Sequence, residues 1–310
     1  MAEFKKLTRK QIKKMPIEEI EKYYLESRKH DFENNVPIKH IEAKKRIHGL
    51  LVQLIKLDRI LSKEKLEIIG DQRIKSKSPK VYACTHIGGN DIQRTFEAIK
   101  DSAYLFLGDP KEIYIDFTGV LLSLNGSVPF ETKNKEDRKI AFNRSVEVLK
   151  KGGNILIYPE GAWNITENLP VCKLYTGAVK MAMESKADII PVAVEQFDNQ
   201  FYVNIGKNIR YDEYQTEDVK SINERLRDEM ATLKWDIWEH HNKENVKRDT
   251  IPDNYKEEFV KTIVERCPYG FTAEDVYHDL YKDKNITEPE EAYIVSPKEQ
   301  FERRKKLSLR

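Results

Sequence analysis

Val81-Tyr82-Ala83-Cys84-Thr85-His86-Ile87-Gly88-Gly89-Asn90-Asp91 reads as a strand, a glycine turn and the start of a helix, in that order. Residues 81–85 form an apolar run of strand length, and Ile92, Phe96 and Ile99 recur at helical spacing just beyond. Gly88 and Gly89 permit a tight turn, and Asn90 or Asp91 can cap the helix that follows. Loops leaving the C-terminal ends of strands are where α/β sheets carry their sites. The Asp91 carboxylate can therefore fold back onto the His86 imidazole. A carboxylate on one ring nitrogen sets the tautomer and leaves the other nitrogen to take a proton from a hydroxyl. The plainer reading of the same residues is a helix cap beside a loop histidine.

The same alternation continues outward. Apolar runs at 103–107, 154–158, 189–195 and 201–205 predict further strands. Residues 136–151 place Ile140, Phe142, Val146 and Leu149 at helical intervals and stop at Gly152-Gly153, and residues 173–186 behave likewise. Strand then helix, repeated, predicts an α/β fold, a mixed sheet flanked by helices, over residues 76–210. Pro191 falls inside one of these runs and is expected at its start or on an edge, because the ladder loses a donor there. Residues 1–75 read as a helical N-terminal module, with the polar stretch 71–80 closing it. Residues 211–310 read as a helical C-terminal extension, with helices at 219–240, 255–267 and 272–281 and a basic tail at 302–306.

Composition excludes several classes. With 39% hydrophobic and 10% aromatic residues among 310, the chain can bury a core although 34% of it is charged. Its apolar runs fall far short of the roughly 18–20 residues that cross a bilayer. MAEFKKLTRK has no apolar segment behind it and does not read as a secretory signal, so a cytoplasmic location is expected. Cys84, Cys172 and Cys267 are widely spaced and form no C-x-x-C pair, which argues against a disulfide framework or a metal site. Cys84 shares a strand face with His86 but reads as a small core residue rather than a nucleophile. Adjacent His240 and His241 point to different helix faces and read as surface residues, while Trp235 and Trp238 read as packing.

Charge is unevenly placed. Residues 1–80 carry a net +9 and residues 81–310 a net −7. A basic segment attracts anionic lipid or nucleic acid, or is simply a solvated face. Within it, residues 41–61 predict an amphipathic helix. Ile47, Leu50, Leu51, Leu54, Ile55, Leu57 and Leu61 lie on the apolar side, and Lys45, His48, Lys56 and Arg59 on the other. Asp58 interrupts the stripe; packing on protein and contact with a membrane both fit the pattern.

A second stretch, Asn154-Ile155-Leu156-Ile157-Tyr158-Pro159-Glu160-Gly161-Ala162-Trp163-Asn164, repeats the form of the first: an apolar strand ends in a turn presenting a carboxylate and a glycine. Taken in order, the H-x4-D of His86 and Asp91, this strand into Pro-Glu-Gly, a helix with Thr176-Gly177-Ala178, and Ile190-Pro191-Val192 form a recognisable series. It resembles the glycerolipid acyltransferases typified by lysophosphatidate acyltransferase, over about residues 80–205.

The resemblance implies transfer of a fatty acyl group from acyl-CoA or acyl carrier protein, as co-substrate, to a hydroxyl of a lysophospholipid-like acceptor. No other cofactor and no metal is implied. His86 would be the base and Asp91 its orienting partner, with direct attack and no acyl-enzyme. Glu160 and Gly161 would position the acceptor, and Pro191 would help shape a pocket. The family's two phosphate-binding arginine places carry Thr132 and Trp163 here. Lys133, Arg138 or Lys173 would have to substitute, or the acceptor carries no phosphate there. Thr85 and Gly88 also replace the family's customary Asn and Ser, and backbone N–H groups near Gly88 and Gly89 could serve a developing oxyanion. The implied partners are the acyl thioester, the lipid-like acceptor and the inner face of a membrane, with no nucleic acid. The alternative is a non-catalytic peripheral membrane or nucleic-acid binder that works through the basic N-terminus.

Overall fold

The computed structural model describes residues 4, 6–110, 117–164, 169–241 and 261. In chain order these form α1 (Arg9–Ile12), α2 (Ile17–Glu33), α3 (Ile41–Leu61), β1 (Lys65–Asp71), β2 (Lys80–Cys84), α4 (Asp91–Ile99) and β3 (Tyr104–Gly108). They continue with α5 (Phe117–Asn125), β4 (Ser127–Phe130), α6 (Lys135–Lys150), β5 (Ile155–Ile157), α7 (Gly177–Ser185), β6 (Asp188–Phe197), β7 (Gln200–Ile205), α8 (Tyr211–Tyr214) and α9 (Val219–His241). The strands form one sheet in the order β1-β7-β6-β2-β5-β3-β4. Pairing is parallel throughout except between β6 and β7, so the sheet is mixed and flanked by helices as expected.

Alternation along the central strands divides the core. Val81, Ala83, Ile155, Ile157 and Ile189 pack on one face with residues of α6, α7 and α9, and Tyr82, Cys84, Leu156, Ile190 and Val192 pack on the other with Phe96 and Ile99 of α4. Buried strands of this kind read as continuous apolar runs, which is why all five expected strands are present. The C-terminal ends of β2, β5, β3 and β4 lie along one edge of the sheet, where His86, Glu160, Asp109 and Thr132 follow.

Four expectations need correction. Residues 65–71 are not helical: β1 pairs with β7 from Lys65↔Gln200 to Asp71↔Ile205, its Lys-Leu-Glu-Ile alternation belonging to a half-covered edge strand. The short β4 was not foreseen either, because four residues containing Pro129 carry little strand signal.

Pro191 lies inside β6, paired opposite Ala83 of β2. Val192 O accepts from Thr85 N–H on the β2 side, so Pro191 faces the other way, where its carbonyl accepts from Gly206 N–H at 2.9 Å. The β6–β7 ladder begins only at Val192↔Ile205, so the ring nitrogen of Pro191 faces a place where no ladder donor is required.

Helix α3 has the expected bounds but two apolar faces. Ile41, His48, Leu51 and Val52 are buried, while Leu50, Leu54, Leu57, Ile60 and Leu61 are exposed on the opposite side. His48 was assigned to the polar side; its Nδ1 instead lies 2.6 Å from Asn125 Oδ1 of α5, a long-range partner that a helical wheel does not contain.

The basic module is clamped to the sheet's helices. Arg28 of α2 donates to both carboxylate oxygens of buried Asp137 at 2.9 and 2.6 Å, and Arg144 of α6 donates to the carbonyls of Val36 and Asp31. In the C-terminal extension α9 occupies the expected place, packed on β6 and β7. Of the helices expected at 255–267 and 272–281 and the basic tail, all but Lys261, which has helical backbone, lies outside the described residues.

Candidate active site

The turn after β2 is built as its sequence requires. Gly88 (φ 84°) and Gly89 (φ 61°) both take left-handed backbone, and α4 starts at Asp91. Asp91 Oδ2 lies 2.8 Å from His86 Nδ1 and also accepts from the N–H groups of Ile87 (2.8 Å) and Gly88 (2.9 Å). A carboxylate accepts, so the ring proton sits on Nδ1 and Nε2 is left basic. No described residue bonds Nε2, and the His86 side chain keeps 18% of its surface exposed against 1% for Asp91. The imidazole can thus be reached from outside while the Asp91 carboxylate cannot. The Gly88 amide is spent on Asp91, so it does not serve an oxyanion.

The main chain of His86 is held from β5. Glu160 Oε1 accepts from His86 N–H at 3.0 Å, Glu160 Oε2 accepts from Cys172 N–H at 2.7 Å, and Asn164 N–H donates to His86 O at 2.6 Å. Burial pushes the Glu160 carboxyl upward; the two amides, buried Lys234 and His86 oppose this. Both carboxylate oxygens of Glu160 therefore anchor backbone. Gly161 adopts φ 68° beneath the Tyr175 ring, which a Cβ there would meet at 2.6 Å.

The rings of Tyr158 and Trp163 flank the imidazole, with centroids 4.3 and 6.2 Å away, the Trp163 ring edge-on at 86°. Tyr158 was not singled out from the sequence, although it directly precedes Pro159; its hydroxyl lies 3.4 Å from Thr95 Oγ1 of α4, and burial raises its pKa. Asn164 was missed because its contact with His86 spans 78 residues.

The structure thus gathers His86, Asp91, Glu160 and Trp163, with Gly161 in the adjoining turn. It does not bring Pro191 to them: that residue packs against Gly206 within the sheet. Thr132 lies at the end of β4, three places from β2 in the sheet order, and its N–H and Oγ1 donate to Asp109 at 2.8 and 2.5 Å. Cys84 is buried against Thr95 with its thiol pushed up by burial, as a core residue should be.

Residues 65–195 match the family model described as Acyltransferase. This segment is an acyltransferase domain of the glycerolipid acyltransferase superfamily. The acyltransferase domain begins at β1 and ends within β6, so it takes in the whole dyad and the β5 turn.

The chain is 24% identical over 192 residues to a 1-acyl-sn-glycerol-3-phosphate acyltransferase of Borreliella burgdorferi, covering 57% of this chain and 74% of that protein. It is 25% identical over 135 residues to the enzyme of the same name from Saccharomyces cerevisiae, covering 39% of this chain and 45% of the relative. Among solved structures, the 1-acyl-sn-glycerophosphate acyltransferase of Thermotoga maritima superposes with a TM-score of 0.53 at 12% identity. That superposition covers 68% of this chain and 86% of the other, and it shows a shared fold.

Proposed function

We propose that the acyltransferase domain moves a fatty acyl group from acyl-CoA or acyl carrier protein to a hydroxyl of a lysophospholipid-like acceptor, a step of phospholipid biosynthesis. The observation that carries this is the 2.8 Å contact between His86 Nδ1 and Asp91 with the imidazole edge left accessible. The acceptor oxygen attacks the thioester carbonyl as its proton passes to His86 Nε2. The C–S bond then breaks, the ester forms, and the departing thiolate takes the proton back from the imidazolium. A free hydroxyl is a weak nucleophile near neutral pH, and such a positioned base is worth about 10²–10⁴-fold. The thioester is already activated, so this step calls for no further cofactor.

Trp163 walls the imidazole and the Gly161 turn lies beside it, which suits them to contact substrate. The relatives' names make 1-acyl-sn-glycerol-3-phosphate the first acceptor to try. Arg138, which donates to Thr132 O, and Lys133 are exposed cations beside the β4 end that could meet a phosphate. In a purified preparation, His86→Ala should abolish release of CoA from palmitoyl-CoA in the presence of that acceptor while leaving the melting temperature intact. Unchanged turnover would refute the assignment.

The partner surface we propose is the cytoplasmic face of a membrane. Among the described residues no helix is long and apolar enough to span one. The exposed Leu50, Leu54, Leu57, Ile60 and Leu61 of α3, in a segment of net +9, supply apolar contact and attraction to anionic lipid. Leu54→Glu with Leu57→Glu should release the protein from anionic vesicles in a sedimentation assay; undiminished binding would exclude this face.

A further inference from the structure

The residues that hold the catalytic helix come from outside the turn that carries the dyad. Arg94 of α4, one turn beyond Asp91, is fully buried. Its Nε donates to Glu64 at 2.9 Å, its Nη1 to the carbonyl of Ile55 at 3.1 Å and to Glu97 at 3.3 Å, and its Nη2 to Asp58 at 3.1 Å. Glu64 lies between α3 and β1 and is itself buried, and its second oxygen accepts from Asn90 Nδ2 at 2.8 Å. Asn90 is the residue at the N-cap of α4, yet its side chain makes no capping bond. The end of α3 closes the arrangement through Arg59, which donates to Glu97 at 3.1 and 3.0 Å and to the Glu64 carbonyl at 3.3 Å.

Glu64 therefore grips α4 at two points, one immediately before Asp91 and one a turn after it. The buried carboxylates of the cluster, Glu64 and Glu97, each face a guanidinium, as buried ions require, and the exposed Asp58 adds a third contact to Arg94. The first turn of α4 is thereby located relative to α3 and β1 rather than by its own cap. The Asp91 carboxylate can accept three bonds at once only if that turn stays in place.

We propose that Glu64 is a positioning residue for the acyl transfer, acting through Asn90 and Arg94 to hold Asp91 against His86. The junction that follows α3 thus belongs to the catalytic machinery and not to membrane attachment alone. This inference rests on the reading of His86 as the general base. Side chains locked by such supporting bonds hold reacting groups to within fractions of an ångström, and a displacement of about 1 Å can cost on the order of 10²-fold in rate.

The test uses the full chain with palmitoyl-CoA and 1-acyl-sn-glycerol-3-phosphate in phospholipid vesicles. Glu64→Ala should lower kcat by about 10- to 100-fold with KM for palmitoyl-CoA changed less than about twofold. Glu64→Gln, which keeps one acceptor and adds a donor, should recover part of the loss. The downfield imidazole Nδ1–H proton resonance of His86, assigned by its disappearance in Asp91→Asn, should weaken in Glu64→Ala in step with kcat. Should Glu64→Ala fail to fold, Asn90→Ala in the half-buried turn should lower kcat and weaken the resonance in the same sense. The proposal is overturned if kcat stays within about twofold in the folded variants, or if kcat falls while the resonance is unchanged. A silent His86→Ala would overturn the acyl-transfer reading itself; a dead His86→Ala beside a fully active Glu64→Ala would overturn this inference alone.

Discussion

Two strand ends on the same edge of the sheet are built alike. After β2, His86 is held by Asp91, and after β4, Thr132 is held by Asp109. They differ in burial: Asp91 is buried and takes three donors on one oxygen, whereas Asp109 is exposed and takes two from a single residue. A hydrogen bond in water is readily exchanged for one to solvent, whereas Asp91 has no solvent to turn to: among the described residues its buried Oδ1 has no partner, so loss of the three bonds on Oδ2 would leave the whole carboxylate unsatisfied. The β2 end is thus suited to holding a base in one orientation, and the β4 end to shaping a rim.

The largest effect that would sharpen this contrast is at Asp91. Asp91→Asn should cut kcat by about 10²–10⁴-fold with the fold retained, as measured by thioester turnover beside a thermal melt.

A smaller effect is expected beside Thr132. Burial and the neighbouring Glu21 carboxyl push Glu131 up from its usual 4.5 to about 7, against the pull of Arg28. The folded state thus holds this proton more tightly than the unfolded chain. The associated stability is present in full below about pH 4.5 and is lost as pH rises through about 7. Melts between pH 5 and pH 8 should show that loss in the parent chain and lack it in Glu131→Gln.

Gly161→Ala should cost about 1–2 kcal/mol of stability for placing a side chain at φ 68°, measured by denaturant unfolding, with turnover lowered as the Tyr175 ring shifts. The smallest change belongs to Thr132→Val, for which less than about 1 kcal/mol and near-parental turnover are expected. A collapse of activity in Thr132→Val would break the comparison and make the β4 end part of the chemistry.

Much of the architecture could be read from local pattern. The buried strands β2, β3, β5, β6 and β7 announced themselves as apolar runs, and α6 as a periodic stretch stopped by glycines. β1 escaped because its signal is two alternating pairs, and β4 because it is four residues long around a proline; both exist through pairing with a distant neighbour. In the site, His86 and Asp91 were legible because five residues and two glycines bring them together within one turn. Glu160 was found for its place after a strand, but its hold on the His86 and Cys172 backbones depends on β5 lying beside β2. Tyr158, Asn164 and Glu64 carry no local mark, since each acts on a partner far away in the chain or on another element.

The sequence alone determined the pieces whose interactions close within a few residues: strand runs, helix stops, the glycine turn and the His86–Asp91 pair it presents. Tertiary structure decided which face of α3 is buried, where Pro191 meets no missing partner, and how the Glu64–Arg94 cluster seats α4. The reason is one of range. Sterics and short loops act between neighbours in the chain, whereas burial and the pairing of buried charge depend on what folding brings alongside.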